Sequence, residues 1–308
     1  MSDPLQIKPA VARGRMREEL WDDPNWVAEE KLDGVRYLWH IHEGHSHFTS
    51  RRISNKTGRY VQKDEHFPHL QEWGKLLPPG TILDGEVMPP LGMGGKAYNV
   101  ISITGSSPQL ALHKQESEGW LRFVGFDCLF YGGVDLQHRP LNERQLRMYH
   151  TLEPLRNHPS VSTPTSSHPR KREFFNSVWE GGGEGVILKH LDAPYGDPLA
   201  WVKVKISETY DVVITGYKPA TEVSLKVNGE LSQTKFAERG WIGAIMFDLG
   251  GVTGFCSGMD EETRQYISEH QKECIGRVVE VRAQERLPSG ALRHPRFVRF
   301  KDDKTMED

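Results

Sequence analysis

The segment EEKLDGVR, residues 29–36, places Lys31 two positions before an Asp33-Gly34 pair, with Glu29 two before it and Arg36 five after it. Most lysines are solvated surface residues. A lysine fixed beside a tight turn, between a carboxylate and a guanidinium, is also a candidate amine nucleophile. With a reference pKa of about 10.4, roughly one lysine in a thousand or fewer carries the free amine at neutral pH. A nucleophilic amine therefore needs burial or neighbouring positive charge to lower its pKa. A chance match to Lys-x-Asp-Gly-x-Arg is expected roughly once in several hundred chains of this length, so other residues must carry the argument.

They follow in order: Ser50-Arg51, Asp84-Gly85-Glu86, Phe126-Asp127, EGVILK at 184–189, WVKVK at 201–205 and RHPRFVRFKDDK at 293–304. Each has an ordinary reading by itself. Asp84-Gly85-Glu86 is a turn, Phe126 is core, and Lys203 with Lys205 is the solvated face of an edge strand. Glu184, after Gly181, Gly182 and Gly183, is loop polarity. The shared order argues against all of these readings at once. The alternating row His40, His42, His45 and His47 is different. Its loop contains glycine and no carboxylate is evident beside it, so it reads as exposed, partly basic surface rather than a metal site.

The ordered series closely resembles the covalent nucleotidyltransferases, and among them the compact, two-domain ATP-dependent DNA ligases of viral or bacterial kind. The resemblance runs from about residue 26 to 304. It implies that Lys31 is the nucleophile and carries AMP as a phosphoramidate. It puts Glu29 near the adenine amino group, Phe126 in a stack on adenine, and Glu86, an acceptor-only group, on a ribose hydroxyl. Arg36 would hold ribose and phosphate, and Arg51 the 5′-phosphate of a nick. Lys203 and Lys205, two apart on a strand and so on one face, would reach the α-phosphate. Glu184 is a hard oxygen donor for Mg²⁺, with Mn²⁺ as a substitute. Lys301, Asp303 and Lys304 stand where the family orients pyrophosphate, though Lys301 replaces an arginine and loses its fork of donors; Arg296 or Arg299 would compensate. The implied reaction is sealing of 5′-phosphate/3′-hydroxyl nicks in duplex DNA, with ATP as the co-substrate. Alternatives are an RNA ligase, a GTP-using mRNA-capping enzyme, or a non-catalytic nucleic-acid-binding protein.

The elements that must position these residues are mixed, an α+β pattern. VAEEKLDGVRYLWHIH reads as two strands in a hairpin around Asp33-Gly34. TILDGEVM and LRFVGFDCLFYGG read as strands, and SSPQLALHKQESEG as a helix begun by Ser-Pro. LNERQLRMYHTLEPLRN shows helical spacing at Leu141, Leu146, Tyr149 and Leu152. Residues 158–172 read as a surface loop with one edge strand, and REFFNSVWEGG as a helix. Beyond Ile206 five or so strands and one helix suit a small barrel such as an OB-fold. The expected domains are 1–207, a mixed-sheet adenylation domain, and 208–308, the barrel.

The totals add exclusions. The chain has 308 residues, 37% apolar, a formal charge of −3 and three cysteines without Cys-x-x-Cys spacing. No run approaches the roughly 18 apolar residues of a membrane span, and the first residues lack a signal-peptide core. A reducing cytoplasm (a host's, for a viral chain) and a monomer without membrane partners are the expectation. About 30 residues precede Lys31, which leaves no room for a helical DNA-binding domain there. The DNA would then be gripped by residues 218–240 and the arginines at 293–299.

Overall fold

The computed structural model describes residues 7–92, 97–205, 207–225, 231–287 and 289–301. They fall into two units, Met1–Val204 and Lys205–Asp308. In chain order the first comprises β1 (Trp26–Glu30), β2 (Val35–Ile41), β3 (Ser46–Ile53), β4 (Tyr60–Gln62), α1 (Pro68–Gly74), β5 (Thr81–Met88), α2 (Ala97–Thr104) and α3 (Pro108–Glu118). It continues with β6 (Arg122–Tyr131), β7 (Val134–Asp135), α4 (Leu141–Leu152), β8 (Val161–Ser162), β9 (Ser166–Ser167), α5 (Lys171–Glu180), β10 (Gly185–His190) and β11 (Trp201–Lys205). One sheet runs β4-β3-β2-β5-β6-β7 with β8 on β6, and a second runs β11-β10-β1-β9.

Period-two alternation sorts the larger sheet into two faces. Tyr37, Trp39 and Ile41 of β2, Leu83 and Val87 of β5, and Phe123 of β6 enter one core with Phe48, Phe67 and Val100. The alternate positions, Arg36 and Leu38 on β2 and Ile82, Asp84 and Glu86 on β5, lie on the other face. Helix α3 begins where expected: the Ser107 side chain accepts the Leu110 amide and Pro108 fills the first turn.

Three expectations are corrected. Strands β1 and β2 form no hairpin, because β1 pairs with β10 and β9 while β2 pairs with β3 and β5. Residues 31–34 are the crossover from one sheet to the other. Helix α4 buries Leu141, Arg144, Met148, Thr151 and Leu152, whereas Leu146 and Tyr149 are exposed. Residues 158–172 contain two short strands: β8 lies parallel to β6 and β9 antiparallel to β1.

The second unit contains β12 (Glu208–Pro219), β13 (Val223–Leu225), β14 (Leu231–Gln233), α6 (Lys235–Glu238), β15 (Ile242–Leu249) and β16 (Val252–Cys256). After these come α7 (Glu261–Glu269), α8 (Gln271–Cys274), β17 (Val278–Ala283), β18 (Glu285–Arg286), β19 (Leu292–Arg293) and β20 (Arg296–Phe300). Its main sheet is β16-β15-β12-β17-β20, antiparallel at every pairing. A parallel bridge from Ser257, just past β16, to Arg296 at the start of β20 links the two outer strands. Val212, Ile214, Ile245, Phe247, Ile267, Val279 and Val281 fill the core. Asp260 caps α7 by accepting the Thr263 amide. Among the described residues no helix is long and apolar enough to cross a membrane.

Candidate active site

Lys31 stands at the sheet crossover. Its amide donates to the Gly185 carbonyl at 2.8 Å, and Gly185 has φ +128°, a conformation that favours glycine. Gly34 is needed for a different reason: a Cβ there would lie 2.3 Å from the Val87 carbonyl oxygen. The glycine of KLDGVR therefore lets the crossover press against β5 rather than turning a hairpin. The Lys31 ammonium pairs with the Glu184 carboxylate, the two side chains 17% and 7% exposed. Beside the pair opens a cleft of about 420 Å³ lined by Lys31, Asp33, Met88, Phe174, Gly182 and Glu184.

Arg36 and Glu86 are direct cross-strand partners of β2 and β5. The Arg36 guanidinium donates from Nε to Asp84 Oδ1 at 2.8 Å and makes a second bond to the other carboxylate oxygen. The Tyr195 hydroxyl donates to the same Asp84 at 2.6 Å. Asp84 is fully buried, and a bidentate pair of this kind fixes the guanidinium plane. Burial pushes the Glu86 carboxyl up to about 8, against the pull of Arg36, Lys31 and Arg51.

Phe126 occupies a bulge. Asp84 pairs with Asp127 and Gly85 with Gly125, leaving Phe126 with no partner on β5. A bulge re-aims a side chain and is frequent beside functional sites. The Phe126 ring meets Trp201 edge-on at 6.0 Å, with Lys189 Nζ 4.5 Å and Arg36 5.2 Å from its centroid. Lys189 forms an ion pair with buried Glu29, which also accepts from Gln145. Burial pushes the Glu29 carboxyl up while Lys189 opposes the rise.

The structure thus gathers Glu29, Lys31, Arg36, Glu86, Phe126 and Glu184 around the junction of the two sheets. Lys203 and Lys205 are exposed and alternate in register with Trp201, hence lie on its face of β11. Arg51 is exposed on β3. Lys301, in the second unit, lies 3.6 Å from both Asp211 and Glu280. Asp303 and Lys304 lie outside the described residues. Sequence reasoning assigned nothing to Asp84, Lys189 or Tyr195. Lys189 alternates with Ile187, the antiparallel partner of Glu29, and so shares that residue's face, but only the β1–β10 pairing reveals this. Tyr195 sits in a connection far along the chain, and no sequence signal marks it.

Residues 15–205 match the family model for the ATP-dependent DNA ligase domain. The chain is 26% identical over 203 residues to the SPbeta prophage-derived DNA ligase-like protein LigB of Bacillus subtilis, covering 65% of this chain and 68% of that one. It is 28% identical over 299 residues to a probable DNA ligase of Streptomyces avermitilis, covering 91% of this chain. It spans only 56% of that relative's length. A solved structure from a study of DNA binding with a minimal scaffold in Lig E DNA ligases superposes with a TM-score of 0.66 at 20% identity. The overlap covers 96% of this chain and all of that one, and it bears on the fold alone. Because the family match takes in well over half of the sequence, including the lysine crossover, the aromatic bulge and both lysines of β11, the chain belongs to the ATP-dependent DNA ligase family.

Proposed function

We propose that this chain seals 5′-phosphate/3′-hydroxyl nicks in duplex DNA, using ATP, with Lys31 as the catalytic nucleophile. The observation that carries the reading is the placement of the Lys31 amine at the sheet crossover, paired to Glu184 and backed by Arg36 and Glu86. In the first step Lys31 Nζ loses its proton and forms a bond to the α-phosphorus of ATP, and pyrophosphate leaves. An oxygen of the DNA 5′-phosphate then takes the AMP group and frees the amine. The 3′-hydroxyl attacks that 5′-phosphorus, loses its proton and expels AMP.

The remaining residues bind and orient. Adenine would stack on Phe126, with Glu29 near its amino group; Lys189 would have to yield some of its hold on the ring to admit the base. Glu86 faces the ribose, and Arg36, with its plane fixed by Asp84, holds ribose and phosphate. Lys203 and Lys205 supply positive charge toward the α-phosphate, and Arg51 receives the 5′-phosphate of the nick. The carboxylate of Glu184 suits a hard divalent cation, and its existing cationic partner, Lys31, supports that fit. Such an ion, Mg²⁺ or Mn²⁺, would neutralise phosphate charge. The second unit reads as an OB-fold barrel, supported by its strand order and the Ser257–Arg296 bridge. In it Lys301, Asp303 and Lys304 would orient pyrophosphate.

Protein incubated with Mg²⁺ and α-labelled ATP should retain label after denaturation, and Lys31→Ala should retain none. Nicked duplex DNA should then be sealed. Labelling that survives in Lys31→Ala, or that occurs from GTP but not ATP, would overturn the proposal.

A further inference from the structure

The tip of the β2–β3 hairpin brings three imidazoles together. The pairing of Ile41 with Ser46 and of His40 with His47 sets the register, and the His42 amide donates to the His45 carbonyl at 2.9 Å. Paired residues share a face, so His40, His42, His45 and His47 all project from one side. His40 turns inward and bonds Thr49 Oγ1 at 2.8 Å. The other three converge: their ring centroids lie 5.0 to 5.3 Å apart, and one nitrogen from each lies within 4.8 Å of the others. Among the described residues this is the one group of three metal-ligating side chains so placed.

The hydrogen bonds dictate which nitrogens remain. His45 Nδ1 donates to the Glu43 carbonyl at 3.1 Å, which leaves Nε2 with its lone pair. His47 Nδ1 donates to Asp64 Oδ2 at 2.7 Å, which also leaves Nε2. Asp64 is itself fixed, because its other oxygen accepts the Phe48 amide at 2.7 Å. His42 Nε2 is a buried nitrogen without a hydrogen-bond partner. The carboxylate missing from the sequence reading is therefore present, contributed from 17 residues away. A carboxylate–histidine pair of this kind orients a metal ligand and raises its basicity.

We propose that His42, His45 and His47 form a transition-metal site that takes Zn²⁺ through their Nε2 atoms, with Asp64 orienting His47. Zinc–nitrogen bonds of about 2.0–2.1 Å set ligand nitrogens roughly 3.3 Å apart in a tetrahedron, so closure asks for side-chain rotations of about an ångström at an open hairpin end. Solvent completes the fourth position. The site is separate from the lysine crossover: six residues of extended chain from Arg36 to His42 span about 20 Å. A bound ion would clip the hairpin tip.

Protein without a polyhistidine tag should bind one tight equivalent of Zn²⁺ in a chelator-competition titration. His45→Ala, at an exposed position, should remove it, and Asp64→Asn should weaken it by about 10–100-fold. Co²⁺ in its place should give the intense visible absorption of a tetrahedral site, absent from His45→Ala. Metal-free melting curves report whether each variant is folded. Equal Zn²⁺ stoichiometry and affinity in wild type and folded His45→Ala would overturn the site. So would X-ray absorption showing fewer than three nitrogen neighbours.

Discussion

Among the described residues Glu86 has no hydrogen-bonded cation of its own, unlike Glu29 on Lys189 and Asp127 on Arg144. Its pKa is raised from 4.5 to about 8 by burial, against the pull of Arg36, Lys31 and Arg51. Between those two values the folded protein holds a proton that the unfolded chain releases. Stability therefore falls as pH rises through that window, by an amount tempered by the side chain's remaining exposure. Glu86→Gln removes the titration. The variant should match wild type in thermal midpoint at pH 5 and exceed it at pH 9; a difference that stays constant with pH would refute the shift. The same residue marks the limit of reading single positions. Lys31, Glu86 and Glu184 could be named from ordered motifs, whereas Asp84 and Tyr195 could not. The bond between the last two joins residues 111 apart, and no spacing rule links a strand to a distant connection.

At the level of elements, β1, β2, β5 and β6 were legible as strands from their apolar runs, β3 and β4 were not, and no strand's partner was. Asp33-Gly34 looks like a hairpin turn, yet Glu30 pairs with Val186 and Val35 with Val87, in different sheets. The bulge at Phe126 was invisible too, because an unpartnered residue follows from the register of two strands and not from the sequence of one. Helix α4 shows a third failure. An apolar stripe was expected through Leu146 and Tyr149, but a fully buried Arg144 sits on the inward face and grips Asp127 at 2.8 and 2.9 Å. Burial pushes Asp127 up while Arg144 pulls it back, so the pair anchors α4 to β6 next to the bulge. Arg144→Met would leave a buried carboxylate unpaired and should cost about 3–5 kcal/mol, read from urea unfolding. The double variant Asp127→Asn/Arg144→Met should recover a substantial part of that loss. If the double variant is as unstable as the single, poorer packing rather than the stranded charge sets the cost.

For the molecule as a whole, a net charge of −3 gives no hint of a polyanionic partner, and the pairing of individual cations is decisive. The segments expected to grip DNA are partly neutralised. Lys235 and Arg239 both engage Glu261, and Arg299 engages Glu280 at 3.1 Å. Such partners, 19 to 26 residues away, cannot be foreseen by counting basic residues along a stretch. The hairpin of β13 and β14 remains the strongest candidate within 218–240, since it follows β12 and forms a two-stranded sheet separate from the main one. Replacing residues 223–233 with a short Gly-Ser turn should leave the main sheet of the second unit intact, because β13 and β14 pair with each other in that separate sheet. Self-adenylation should persist at wild-type rate while the Kd for nicked duplex rises. The slope of log affinity against log salt should also become shallower by roughly one for each DNA phosphate that the shortened protein no longer neutralises. Equal loss of self-adenylation and DNA binding would mean the hairpin supports the fold rather than the grip. An unchanged salt slope would move the DNA-binding surface elsewhere on the molecule.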